Sequence, residues 1–217
     1  MERFLAFNLE EIPYVVAVLL IAFTVHEFSH AYVAYKFGDP TAKNQGRVTL
    51  NPMKHLDPFG TILLLIAGFG WAKPVPVNRF YFKNPRLAGV LVSAAGPLSN
   101  LVVAAIGYAI LYSFFASGQP IPVYVEPFIN KLIQLNVVLF VFNLIPLPPL
   151  DGYRIVEDLV SNSTRAKMTQ YENYGSLIFL ILVIIPPLNA ITIQPIFSIV
   201  IPFIYDLMNQ FFTLFFY

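Results

Sequence analysis

His26, Glu27 and His30 stand in the run Thr24-Val25-His26-Glu27-Phe28-Ser29-His30-Ala31, inside an otherwise apolar stretch. On an α-helix the two histidines fall on one face, one turn apart. Two imidazoles at that spacing can ligate one zinc ion, and the carboxylate beside the first can take a proton from a water at the metal. That chemistry is metal-assisted hydrolysis. The bland alternative is a hydrogen-bonded polar seam between helices. Against it, a glutamate inside a spanning helix is expensive without a partner or a task. Two of the chain's three histidines also sit here.

A catalytic zinc site takes three protein ligands and leaves the fourth position to water. The chain has no cysteine, so the ligands must come from His, Asp, Glu or Asn. Asp151 is the best candidate. It lies in Asn143-Leu144-Ile145-Pro146-Leu147-Pro148-Pro149-Leu150-Asp151-Gly152, where prolines break the helix and allow a carboxylate to turn inward. By itself the same run also reads as a turn at a membrane exit. Zinc is the favoured ion for two imidazoles and a carboxylate, though iron or cobalt can occupy similar ligands.

The elements that must position these groups are membrane helices. Of 217 residues, 57% are hydrophobic and 12% charged, a balance that places the chain in a bilayer. Apolar stretches at about 12–35, 87–115, 129–147, 174–193 and 195–217 predict five spans, each near the roughly 20 helical residues needed to cross. Residues 59–71 are apolar but short and carry Gly60, Gly68 and Gly70, which suits a re-entrant or interfacial segment. Residues 38–58, with Arg47-Val48-Thr49-Leu50 at their centre, read as turns around short β-strands. A net charge of +1 excludes a nucleic-acid partner, and no cleaved targeting segment is expected at the N-terminus.

Charge placement orients the spans, because cytoplasmic loops collect Lys and Arg. If 59–71 does not cross, eleven basic residues share one side against two on the other, Arg3 and Lys131; if it crosses, the split is eight against five. The stronger bias puts the N-terminus outside, with residues 37–86 and 148–173 in the cytoplasm. It also brings His26, His30 and Asp151 to one side of the bilayer, since all end outward-to-inward helices. One membrane domain, 1–217, is expected, with a core at about 12–160 and accessory helices at about 174–217.

With these motifs assembled, the chain resembles the site-2 protease family of intramembrane zinc metalloproteases, of M50 type, in its short prokaryotic form without a PDZ domain. The resemblance rests on His26-Glu27-Phe28-Ser29-His30, on Ala95-Gly96-Pro97-Leu98-Ser99-Asn100 and on the run from Asn143 to Gly152, in that order. It implies that His26, His30 and Asp151 bind one catalytic zinc ion, that Glu27 is the base, and that the Gly96-Pro97 helix closes the core. It makes Asn100 a candidate catalytic residue that holds substrate or an oxyanion, with an interhelical hydrogen bond as the competing role. Asn143 has the same two readings, and the structural one is preferred. His55 is left outside the three-ligand site, and Asp206 has no assigned task.

The expected activity is hydrolysis of peptide bonds in or near a transmembrane segment of a membrane-protein substrate, in a prokaryotic plasma membrane. A zinc or proton transporter and a catalytically silent zinc-binding scaffold are the alternatives. The chain shows no paired halves with matching interrupted helices, as a transporter often would.

Overall fold

The computed structural model describes residues 7–67 and 70–216. Nearly all of it is helix. Helix α1 (Ile12–Lys36) starts on a proline in its first turn and carries the histidines in its later half. A short turn of helix, α2 (Thr41–Asn44), and a loop lead to α3 (Pro58–Ala67). Ten residues rise only about 15 Å, too little to cross hydrocarbon. An extended stretch, residues 70–78, then leads to α4 (Pro85–Ser117), capped by the Asn84 side chain and ended by left-handed Gly118. Helix α5 (Val125–Asn143) ends at the Pro-rich turn, after which come α6 (Asp151–Leu159), α7 (Asn162–Ile184) and α8 (Pro186–Phe216).

Among the described residues, four helices are long and apolar enough to span: α1, α4, α5 and α8. The first three lie close to the predicted stretches. The expected pair at 174–193 and 195–217 is corrected. Pro186 and Pro187 end α7 and begin α8, because a helix cannot continue through two missing N–H groups. The apolar tail of α7, from Leu177 to Ile184, rises only about 12 Å.

The expected β-strands near 46–50 are also corrected: no strand occurs among the described residues. The neighbouring residues 70–78 contain Pro74 and Pro76, which cannot donate to a ladder. The side chain of Arg47, rather than a strand, takes the carbonyls of Lys73 and Pro74 at 2.6 and 3.1 Å.

The core sits where α4 meets its neighbours. Ala104, Tyr108, Ile133, Val137 and Phe212 bury against one another across α4, α5 and α8, and Val15, Leu19, Phe23 and Leu64 join α1 to α3. Glycine sets the closest approaches. A methyl group at Gly96 would overlap the imidazoles of His26 and His30, and one at Gly152 would overlap the carbonyls of Leu144 and Ile145. Only hydrogen fits at either position, so α4 presses directly onto the histidines of α1, and α6, which carries Asp151, presses onto the turn after α5.

Helix α6 is held by charge. Asp158, with a fully buried side chain, pairs with Arg79 and lies 3.4 Å from Arg165. Arg154 pairs with Glu157 at 3.2 Å and with Glu172 on α7. Burial pushes the Glu157 carboxyl up, but the Thr169 hydroxyl and Arg154 outweigh it and hold the group below its ordinary 4.5. An Asp158→Asn variant is expected to lose about 2 kcal/mol. That is less than the ~3–5 kcal/mol of a fully buried broken pair, because both arginine side chains keep over a quarter of their exposure. The unfolding midpoint in detergent checks it. The Glu157 contribution is present above pH 4.5 and disappears as pH falls below it, so acid should narrow the difference between Glu157→Gln and wild type.

Candidate metal centre

Helical periodicity stacks His26 over His30, and the break after α5 lets α6 begin with Asp151 beside them. His26 Nε2 lies 3.2 Å from Asp151 Oδ2, His30 Nε2 lies 3.3 Å from the same oxygen, and the two Nε2 atoms are 3.0 Å apart. Four ligands at 2.0–2.1 Å around a tetrahedral ion would lie about 3.3 Å from one another. The three donors are already at that spacing.

Hydrogen bonds on the far side of each ring set which nitrogen faces inward. His30 Nδ1 lies 2.7 Å from the Val92 carbonyl, which can only accept, so Nδ1 carries the proton and Nε2 presents its lone pair. His26 Nδ1 lies 2.7 Å from Asn100 Oδ1. The Asn100 amide donates to the Ala22 carbonyl at 3.2 Å and to Asn136 Oδ1 at 2.9 Å, and Asn136 donates to the Leu132 carbonyl at 2.8 Å. That chain of amides crosses α1, α4 and α5, and both asparagines are fully buried. Two imidazole lone pairs and a carboxylate oxygen therefore converge on one point, a donor set suited to a small divalent cation.

Asn100, read from sequence either as a holder of substrate or an oxyanion or as an interhelical hydrogen-bonding residue, lies behind His26. Asn100 spends both amide hydrogens on Ala22 and Asn136 and its oxygen on His26, so it has no donor left for an oxyanion and fixes the ring of His26 instead. An Asn100→Ala variant is expected to weaken zinc affinity about 10–100-fold, the usual cost of losing such a partner. Competition with a calibrated chelator measures it.

Glu27 lines a cavity of about 760 Å³ together with His26, His30, Asp151, Asn143 and Arg154. Phe23, Trp71, Leu139, Phe142 and Phe179 supply apolar wall, and Pro74, Val75 and Val77 of the extended stretch lie along it. Glu27 Oε2 is buried with no hydrogen-bond partner among the described residues, and its nearest cation is Arg47 at 4.0 Å. Asn143 donates to the Leu139 carbonyl at 2.9 Å, which leaves its amide oxygen and second hydrogen to the cavity.

His55 stands apart from the ligands. It is fully buried in the loop before α3, with Nε2 2.7 Å from the Thr49 carbonyl, and burial holds its imidazole below the ordinary histidine value. Sequence reading overlooked Asn136 and Arg47. A buried amide in an apolar helix was the available signal for Asn136. Nothing local marks Arg47, whose role depends on Glu27, Lys73 and Pro74, all distant in sequence.

Comparisons with known proteins give matches over most of the chain. The model for peptidase family M50 matches residues 14–122 and 113–186. YwhC of Bacillus subtilis, named as a zinc metalloprotease, is 59% identical over 90% of each chain. Rip2 of Mycolicibacterium smegmatis and of Mycobacterium tuberculosis, named in the same way, are 33% and 31% identical over 81% of this chain and 68% of their own. No solved structure gives a significant match.

Proposed function

The chain belongs to peptidase family M50 and is a zinc metalloprotease of the membrane, and from that premise we propose that it hydrolyses peptide bonds in or beside transmembrane segments of other membrane proteins. One observation carries the reading: three lone-pair donors converge at 3.0–3.3 Å on the wall of a cavity that Glu27 also lines.

In this reading His26, His30 and Asp151 hold the ion and Glu27 is the general base. Zinc, when bound, polarises the scissile carbonyl and acidifies the attacking water. Glu27 takes a proton from that water and delivers it to the leaving amide nitrogen as the C–N bond breaks, so the products are a carboxylate and an amine. Asn100 and the Val92 carbonyl keep the imidazoles from rotating. The amide of Asn143, on the cavity wall, is free to hold the substrate's backbone. No covalent intermediate is required.

A helical substrate hides its peptide bonds in its own hydrogen bonds and has to unwind locally before cleavage. The extended residues 74–77 support this, because the backbone groups of Val75 and Val77 have no hydrogen-bond partner among the described residues and can receive an unwound strand. The basic bias of the loops supports a site toward the cytoplasmic face, with the N-terminus outside. The occurrence of the relatives in Bacillus and in mycobacteria supports a bacterial plasma membrane.

The test is cleavage of a single-span model peptide in proteoliposomes before and after treatment with a zinc chelator. Activity is expected to vanish and to return on adding zinc. Cleavage that survives complete removal of the metal would defeat the proposal.

A further inference from the structure

We propose that Arg47 is a positioning residue for substrate: it hangs residues 72–77 along the cleft beside Glu27 and thereby sets the slot that an extended apolar peptide enters. The inference rests on the protease reading above.

Arg47 is 4% exposed, and a guanidinium so deeply buried needs partners that repay its lost hydration. It has three neighbours in fixed relation. Nη2 donates to the Lys73 carbonyl at 2.6 Å and lies 4.0 Å from Glu27 Oε2, while Nη1 donates to the Pro74 carbonyl at 3.1 Å. Because the guanidinium is a rigid planar fork, moving either carbonyl moves it relative to the carboxylate. Arg47 therefore couples the cleft wall to Glu27.

Among the described residues, two backbone hydrogen bonds fix the stretch on either side of Val75, Pro76 and Val77. Lys73 N–H donates to the His55 carbonyl at 2.8 Å, and Asn78 N–H donates to Asp39 Oδ2 at 2.6 Å. Between these points Val75, Pro76 and Val77 depend on the Arg47 fork for their distance from Glu27. Pro74, Val75 and Val77 line the cavity together with Leu139 and Phe142, so the slot is apolar on its side-chain surface and polar along its exposed backbone. That pattern fits an unwound hydrophobic segment.

Two measurements test the role. The first is binding of a fluorescent single-span peptide to Glu27→Gln protein in nanodiscs, compared with the same protein carrying Arg47→Lys or Arg47→Gln. The second is the kinetics of Arg47→Lys alone. Lysine keeps the charge but, as a single ammonium, cannot hold both carbonyls in the fork geometry. Binding is expected to weaken about 10-fold and KM to rise by a similar factor, with kcat within about 3-fold and zinc content unchanged. Unchanged binding and KM in a folded, zinc-loaded Arg47→Lys protein would overturn the proposal, as would a fall in kcat at constant KM. Should Arg47→Gln fail to fold, the lysine variant carries the comparison. If Glu27→Gln protein still cleaves, the base assignment fails while the binding comparison stands.

Discussion

A Glu27→Gln variant is expected to keep its zinc and to cleave about 10²–10⁴-fold more slowly, the range contributed by a positioned general base. Glutamine has nearly the volume of glutamate and leaves α1, both imidazoles and Asp151 in place. It cannot accept a proton. The carboxylate it replaces is 8% exposed, lines the cavity and uses none of its Oε2 capacity on a hydrogen bond among the described residues, so beyond the charge it presents to Arg47 at 4.0 Å little in the fold depends on it. Measuring kcat/KM on a membrane peptide beside zinc content by mass spectrometry separates chemistry from metal binding. Retained cleavage, within about 3-fold of wild type, would remove Glu27 from the mechanism. Loss of zinc along with activity would instead make it a structural support of the centre.

Asp151→Ala is expected to release the metal. Its Oδ2 lies 3.2 and 3.3 Å from the two Nε2 atoms and completes the converging set. Removing a direct ligand should cost more than the 10–100-fold lost with an outer partner, so zinc affinity should fall by more than about 100-fold and cleavage with it. The effect differs in kind from that of Asp158→Asn, which loosens α6 as a whole and lowers the unfolding midpoint. Dialysis against a weak chelator followed by metal analysis distinguishes the two. Full zinc occupancy in Asp151→Ala would pass the third-ligand role to another group.

Much of the centre was legible because its signals are local or topological. The spacing of His26 and His30 needs only the pitch of a helix, and Asp151 joins them once three alternating spans precede it. The predicted edges of α1, 12–35, differ from the observed Ile12–Lys36 by one residue, since apolar length and a proline in the first turn are both visible in one dimension. Hydropathy failed where it averaged over a break. The stretch 174–193 reads as uniformly apolar although Pro186 and Pro187 divide it, and the prolines were the better signal. Residues 46–50 alternate as a strand does, but a strand needs a partner able to donate, and the stretch beside them holds Pro74 and Pro76. The orientation of Asn100 was beyond sequence reasoning. Its two roles differ only in what the amide meets, and that depends on Ala22 and Asn136 on two other helices.

The hydrogen at Gly96 bears on which ions the centre can hold. The α4 backbone stands against the Nε2 edges of both imidazoles, the edges that face the ion, and the Val92 and Asn100 contacts on their far sides prevent the rings from turning aside. A calcium ion wants six to eight oxygen ligands at about 2.3–2.6 Å. It would have to crowd against the α4 backbone, which leaves no spare room beside the two donor nitrogens. The glycine thus works as a size gauge, admitting small ions of the first transition row and rejecting large ones by stiffness, before any preference for nitrogen over oxygen is felt. Among ions that pass it, cobalt matches zinc closely enough to serve as a coloured reporter of the ligand geometry.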